Sequence, residues 1–146
     1  MRRLIVCLAV ALAAVAAAAQ PAGRTSFNDG WTFVKDGESR PVDLPHDWGV
    51  EGAFKQEYPG ESGKLAWWGK ADYRKTLEIS PEDLDKDIDL EIDGAMSHAA
   101  VAVNGIDLGG WPYGYASFAI RLNPALKPGK NEITVHIDNP EESSRW

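Results

Sequence analysis

Apolar and polar residues alternate with a period of two along most of the chain beyond residue 70, the signature of strands with one buried and one solvated face. Tyr73, Lys75, Leu77 and Ile79 fall on one side of such a repeat. Ile88, Leu90 and Ile92 alternate with Asp87, Asp89, Glu91 and Asp93. Val101 and Val103 lead into Asn104-Gly105 and then Ile106 and Leu108, and Asn-Gly between apolar runs predicts a type I′ hairpin. Phe118, Ile120 and Leu122 alternate again, as do Ile133, Val135 and Ile137.

The connections carry turn chemistry. Ser80-Pro81-Glu82-Asp83 reads as a cap, a first-turn proline and two acids, and predicts one short helical turn. Asn123-Pro124-Ala125-Leu126 repeats the cap-then-proline part, and Pro128-Gly129-Lys130-Asn131 closes it with a turn. A long surface loop is expected over 56–69, where Gly and Pro recur. No segment holds a helical period over ten or more residues. Strands are expected at 31–35, 41–44, 72–79, 87–93, 99–103, 106–109 with 117–122, and 132–138. The fold class is therefore all-β, an antiparallel sandwich or jelly roll. These are about seven strands where a double-sheet jelly roll has eight, so the chain reads as lacking its last strand.

Arg2 and Arg3 precede an apolar run from Leu4 to Ala16, and Ala17-Ala18-Ala19 offers a small-residue cleavage site. This predicts a signal peptide over 1–19, a domain over 20–146, and export to a periplasmic or extracellular location. The single cysteine, Cys7, lies inside the signal, so the exported domain must be held by its core. The 146 residues exclude a complete (β/α)₈ barrel, which needs about 250. With 15 Lys+Arg against 22 Asp+Glu the net charge is −7, which argues against nucleic acid as a partner. No membrane partner is expected either.

Candidate chemistry is sparse. Asp85, Asp87, Asp89, Glu91 and Asp93 share one strand face, but a flat row of carboxylates does not converge on a metal as an oxygen cage must. Retaining glycoside hydrolysis needs two carboxyl groups about 5–5.5 Å apart, and no pair is placed on strand ends over a pocket. Asn131-Glu132 has the look of a glycosidase acid, yet it follows a Pro-Gly turn and opens what reads as an edge-type strand. His46, His98 and His136 lack metal-ligand spacing, and Ser143 and Ser144 lack a nearby base. No catalytic residue, metal site or cofactor is expected. Trp67-Trp68-Gly69 and Gly110-Trp111-Pro112-Tyr113-Gly114-Tyr115 are aromatic runs set in glycine, suited to packing or to stacking on sugar rings.

Asp43-Leu44-Pro45-His46-Asp47-Trp48 followed by Tyr73-Arg74-Lys75-Thr76 resembles the start of glycoside hydrolase family 2 enzymes. So do Asp93-Gly94, Val103-Asn104-Gly105, Gly114-Tyr115-Ala116-Ser117-Phe118 and Leu126-Lys127-Pro128-Gly129-Lys130-Asn131. The ending Asp138-Asn139, then Ser143-Ser144-Arg145-Trp146, is similar to the β-galactosidase branch. The resemblance covers residues 27–146, nearly the whole chain after the expected signal. It implies the N-terminal, galactose-binding-like jelly roll of an exo-glycosidase whose two catalytic glutamates lie in a later barrel, with a Gly-rich Ile-Tyr-Arg strand continuing the chain. It also implies that Arg145 and Trp146 lie near the sugar pocket. The expected partners are a carbohydrate, a β-galactoside or related, and downstream domains of the same enzyme. A stand-alone carbohydrate-binding module and a purely structural β-sandwich are the rival readings.

Overall fold

The computed structural model describes residues 23–52 and 68–140. β1 (Trp31–Lys35) and β2 (Glu38–Val42) form a hairpin. Its turn residues Asp36 and Gly37 have φ of 53° and 85°, the two left-handed positions a type I′ turn requires. β3 (Gly69–Ile79) is antiparallel to β1, and it pairs along its whole length with β8 (Gly129–Asn139). β5 (Ala99–Val103) pairs with β8 on one side and with β6 (Ile106–Trp111) on the other. Asn104 and Gly105, with φ of 52° and 79°, make the expected hairpin turn between β5 and β6. The large sheet thus has six strands in the order β2-β1-β3-β8-β5-β6. Over it lies a two-stranded sheet of β4 (Asp89–Ile92) and β7 (Phe118–Arg121).

The core lies between these layers. Register alignment places Phe33, Tyr73, Val135 and Val101 in one row across four strands, and all four are buried. Trp31, Ala71, Ile133, Ile137 and Val103 flank that row on the same inner face. Leu90 and Leu122 close the core with the small sheet. Each such large side chain contributes about 1.5–3 kcal/mol through removal from water.

The jelly-roll sandwich expected from the alternation is the fold observed, and four details differ. The segment read as 106–109 with 117–122 divides, because Pro112 and Gly114 turn the chain across the sandwich. β6 then joins the large sheet and β7 the small one, giving eight described strands. A missing last strand was expected from a count of seven; residues after 140 lie outside the described part. β2 begins and ends earlier than 41–44, since Asp36-Gly37 places the turn there. β8 is an interior strand flanked by β3 and β5, not an edge. Asn123 does not cap its 3-10 turn (Asn123–Ala125); its side chain accepts from Ile88 N–H at 2.8 Å and donates to the Lys86 carbonyl at 2.7 Å. Ser80 does cap the turn Pro81–Asp85, accepting from Asp83 N–H. The signal over 1–19 and most of the loop over 56–69 fall outside the described residues.

Candidate functional site

The strands meet loops at two ends. At the end where β8 finishes, the described residues of the small sheet leave part of the large sheet's inner face uncovered. The result is a groove of about 930 Å³. Its floor is aromatic and aliphatic, with Phe27, Trp31, Trp48, Tyr73, Val135 and Ile137. Its rim is polar and aromatic, with Asp47, Asp93, Ser97, His98, Tyr113, Tyr115 and Asn139. A concave, mainly apolar floor with a few polar groups is the usual composition of a ligand site.

One wall is built by the segment after Leu44. Asp47 accepts from Gly49 N–H at 2.8 Å and so starts the 3-10 turn Trp48–Glu51. That turn drops the Trp48 indole into the core, where it stacks on Phe33 with centroids 5.8 Å apart. Trp48 is thereby part of the buried core. His46 is held at both ring nitrogens: Nδ1 lies 2.7 Å from the Tyr73 hydroxyl, and Nε2 lies 3.2 Å from Glu51 and 3.1 Å from Arg40. Arg40 also pairs with Glu51. Neither the histidine spacing nor the Asp43–Trp48 motif points to this network. Its signal was Tyr73, an inward-facing polar tip on a buried strand, which needs a partner when desolvated.

Burial raises the Tyr73 pKa well above its ordinary value, and the Asp47 and Glu51 carboxylates add to the rise. The neutral phenol is therefore favoured in the folded state. Stability from this group is complete below the unfolded pKa of about 10 and is lost as pH rises above it. Urea midpoints measured at pH 8 and pH 11 should fall more steeply for the native chain than for Tyr73→Phe. Equal slopes would show that Tyr73 is not the alkaline-sensitive group.

The opposite wall is made of two loops locked together. His98 N–H donates to the Pro112 carbonyl at 3.1 Å, and the Ser117 hydroxyl donates to the Asp93 carbonyl at 2.9 Å. A Cβ on Gly114 would stand 2.9 Å from Met96 Cα, so only glycine permits this approach. The locked loops present Met96, Tyr113 and Tyr115 outward, and the two tyrosine rings meet edge to face at 5.8 Å.

The other candidate residues are dispersed. Asp85 lies in the turn Pro81–Asp85 and not on the expected strand face; the rest of the acidic row is solvent-facing and ion-paired, with Arg121 bridging Asp87 and Asp89 and Arg24 reaching Glu91 at 2.8 Å and Asp93 at 3.5 Å. His136 pairs with Asp72 at 2.6 Å on the outer face. Burial opposes ionisation of Asp72, but hydrogen bonds from Arg74 and His136 outweigh it and hold this carboxyl below its ordinary range. His98 contacts Ser97 at 3.0 Å. Among the described residues no cluster of three or more His, Cys, Asp or Glu side chains could hold a metal. Asn131 is wholly buried and Glu132 is exposed, so the two do not face a common pocket. Arg145, Trp146, Ser143, Ser144 and Trp67 lie outside the described residues.

Residues 51–145 match the family model described as glycosyl hydrolase 2 galactose-binding domain-like. The chain belongs to glycoside hydrolase family 2. Within that family it is similar to a β-galactosidase of Bacteroides ovatus, with 39% identity over 141 residues, covering 86% of this chain and 17% of the relative. A β-glucuronidase of Bacteroides fragilis is 33% identical over 122 residues, covering 80% of this chain and 16% of the relative. The crystal structure of a β-glycosidase from Bacteroides vulgatus superposes with a TM-score of 0.70 at 34% identity, covering 82% of this chain and 18% of the other. The chain thus spans less than a fifth of the length of these family 2 relatives. It corresponds to their galactose-binding-like domain, the one expected from the motifs.

Proposed function

We propose that this chain is the galactose-binding-like domain of an exported family 2 glycosidase that hydrolyses β-galactosides or related β-glycosides. In this reading the domain carries no catalytic residue; it frames the active site and holds a downstream barrel that supplies both glutamates. The observation that carries the proposal is the 39% identity to a β-galactosidase over 86% of the chain. The open groove at one end of the sandwich supports it, because that end offers a concave surface to a neighbouring domain and to sugar. Arg145 and Trp146 are assigned to the edge of the sugar pocket, Arg145 as a bidentate donor to hydroxyl groups and Trp146 as a wall.

The test is to express the complete reading frame that contains this chain and assay it with p-nitrophenyl β-galactoside and β-glucuronide. Hydrolysis of the galactoside is expected from the complete protein and none from the 146-residue chain by itself. A complete protein that hydrolyses no glycoside would overturn the proposal, as would activity in the chain alone.

A further inference from the structure

The locked loops at the groove mouth hold more exposed aromatic surface than folding requires. Tyr113 is 48% exposed and Tyr115 is 65% exposed, and Met96 lies beside them at 43%. The loops beneath are fixed by the His98–Pro112 and Ser117–Asp93 hydrogen bonds and by the Gly114–Met96 approach. A rigid tyrosine loses little conformational entropy on binding, so a preorganised pair of this kind suits recognition. The electron-rich ring faces attract the polarised C–H bonds on the apolar face of a pyranose. Hydroxyl groups at the sugar's edge are donors, and they need acceptors nearby.

The groove supplies acceptors and sets a charge. Asp47 and Asp93 stand on its rim, and no Lys or Arg is among its described lining residues. Arg24 reaches Glu91 and Asp93 from outside. Among the described residues two rim carboxylates, one of them shared with Arg24, leave a negative surplus at the groove. A neutral sugar donates to those carboxylates, whereas a uronate is repelled by them.

We propose that Tyr113 and Tyr115, with Met96, form a binding platform for neutral β-pyranosides that discriminates against uronides. The proposal rests on the glycosidase reading above and deepens it, since relatives of both β-galactosidase and β-glucuronidase type are similar to this chain. It places a sugar contact on described residues, apart from Arg145 and Trp146.

The test titrates the full chain with methyl β-galactoside and with methyl β-glucuronide, following the tyrosine ring signals by ¹H–¹³C NMR. The galactoside is expected to shift the Tyr113 and Tyr115 signals with a Kd in the millimolar range, and the glucuronide to bind at least about tenfold more weakly, equal to about 1.4 kcal/mol. Tyr113→Ala with Tyr115→Ala should weaken the galactoside at least about tenfold, again about 1.4 kcal/mol. Tyr113→Phe with Tyr115→Phe keeps both rings and should retain binding. Both pairs alter exposed side chains, so a thermal melt matching the native chain checks that each variant is folded. No shift of these rings at high galactoside, equal binding of the two glycosides, or native affinity in the alanine pair overturns the platform. An active complete enzyme whose tyrosine rings ignore galactoside defeats this inference alone. An inactive complete protein with responsive rings defeats the glycosidase reading and leaves the platform standing.

Discussion

Asn131→Leu is expected to destabilise the domain by about 4 kcal/mol, a large part of the roughly 5–15 kcal/mol that holds a domain folded. Asn131 has no exposed surface. Its amide nitrogen donates to the carbonyls of Lys127 and Gly129 at 2.8 and 2.9 Å. Its oxygen accepts from Lys127 N–H at 2.9 Å and from the Asn104 amide at 2.8 Å. Asn104 in turn donates to the Ala125 carbonyl and accepts from Glu132 N–H. The two asparagines therefore clamp the β5–β6 turn, the 3-10 turn Asn123–Ala125 and the start of β8. Leucine has the same branching of side-chain heavy atoms but leaves several buried groups unpaired, and each costs about 1–3 kcal/mol. Glu132→Gln, one residue away and exposed, should change stability by less than about 0.5 kcal/mol. Urea unfolding of both variants is the measurement. Similar midpoints for the two would contradict the clamp.

Gly110→Ala is expected to cost at least about 3 kcal/mol, the upper end for overpacking. A Cβ here would lie 1.9 Å from the Ala99 carbonyl oxygen and 2.7 Å from Ala100 Cα. These are backbone atoms, so the clash is relieved only by pulling β6 off β5. Gly23→Ala, with nothing within 4 Å of its Cβ, is the neutral comparison. Hydrogen exchange of the β5 and β6 amides should quicken selectively in Gly110→Ala. Native protection there would mean that the strands accommodate the methyl group.

Much of the fold was legible because period-two alternation reports directly which face is buried. The inner-face series through Tyr73, Val101 and Val135 is a sequence pattern before it is a packing pattern. The Asn104-Gly105 turn was legible because few residue pairs tolerate two left-handed conformations. Asp36-Gly37 carries the same signal and was overlooked, being set in the less regular region before residue 70. The division of β6 from β7 was not legible, since alternation does not say to which sheet a strand belongs. Nor was the role of Gly110, whose glycine requirement comes from a neighbouring strand and not from its own φ. Asn131 illustrates the hazard of short motifs: next to Glu132 it imitated a catalytic dipeptide, while its burial makes it a structural lynchpin. At the candidate site, the tyrosines and the glycines around them could be read as an aromatic run suited to packing or to sugar, but the partners of His46 could not, because Arg40, Glu51 and Tyr73 converge only in the folded chain.

β8 carries the asparagine clamp at its first residues and ends at Asn139 on the groove rim, about 26 Å away for eight residues of strand. The clamp and the groove rim therefore sit at opposite ends of one continuous element. Substitutions that retune the tyrosine loop need not disturb the pole that secures the sheet, provided Gly114 stays. A lineage can thus vary what the domain greets while inheriting how it stands, and a randomised library confined to the groove pole would inherit the same freedom.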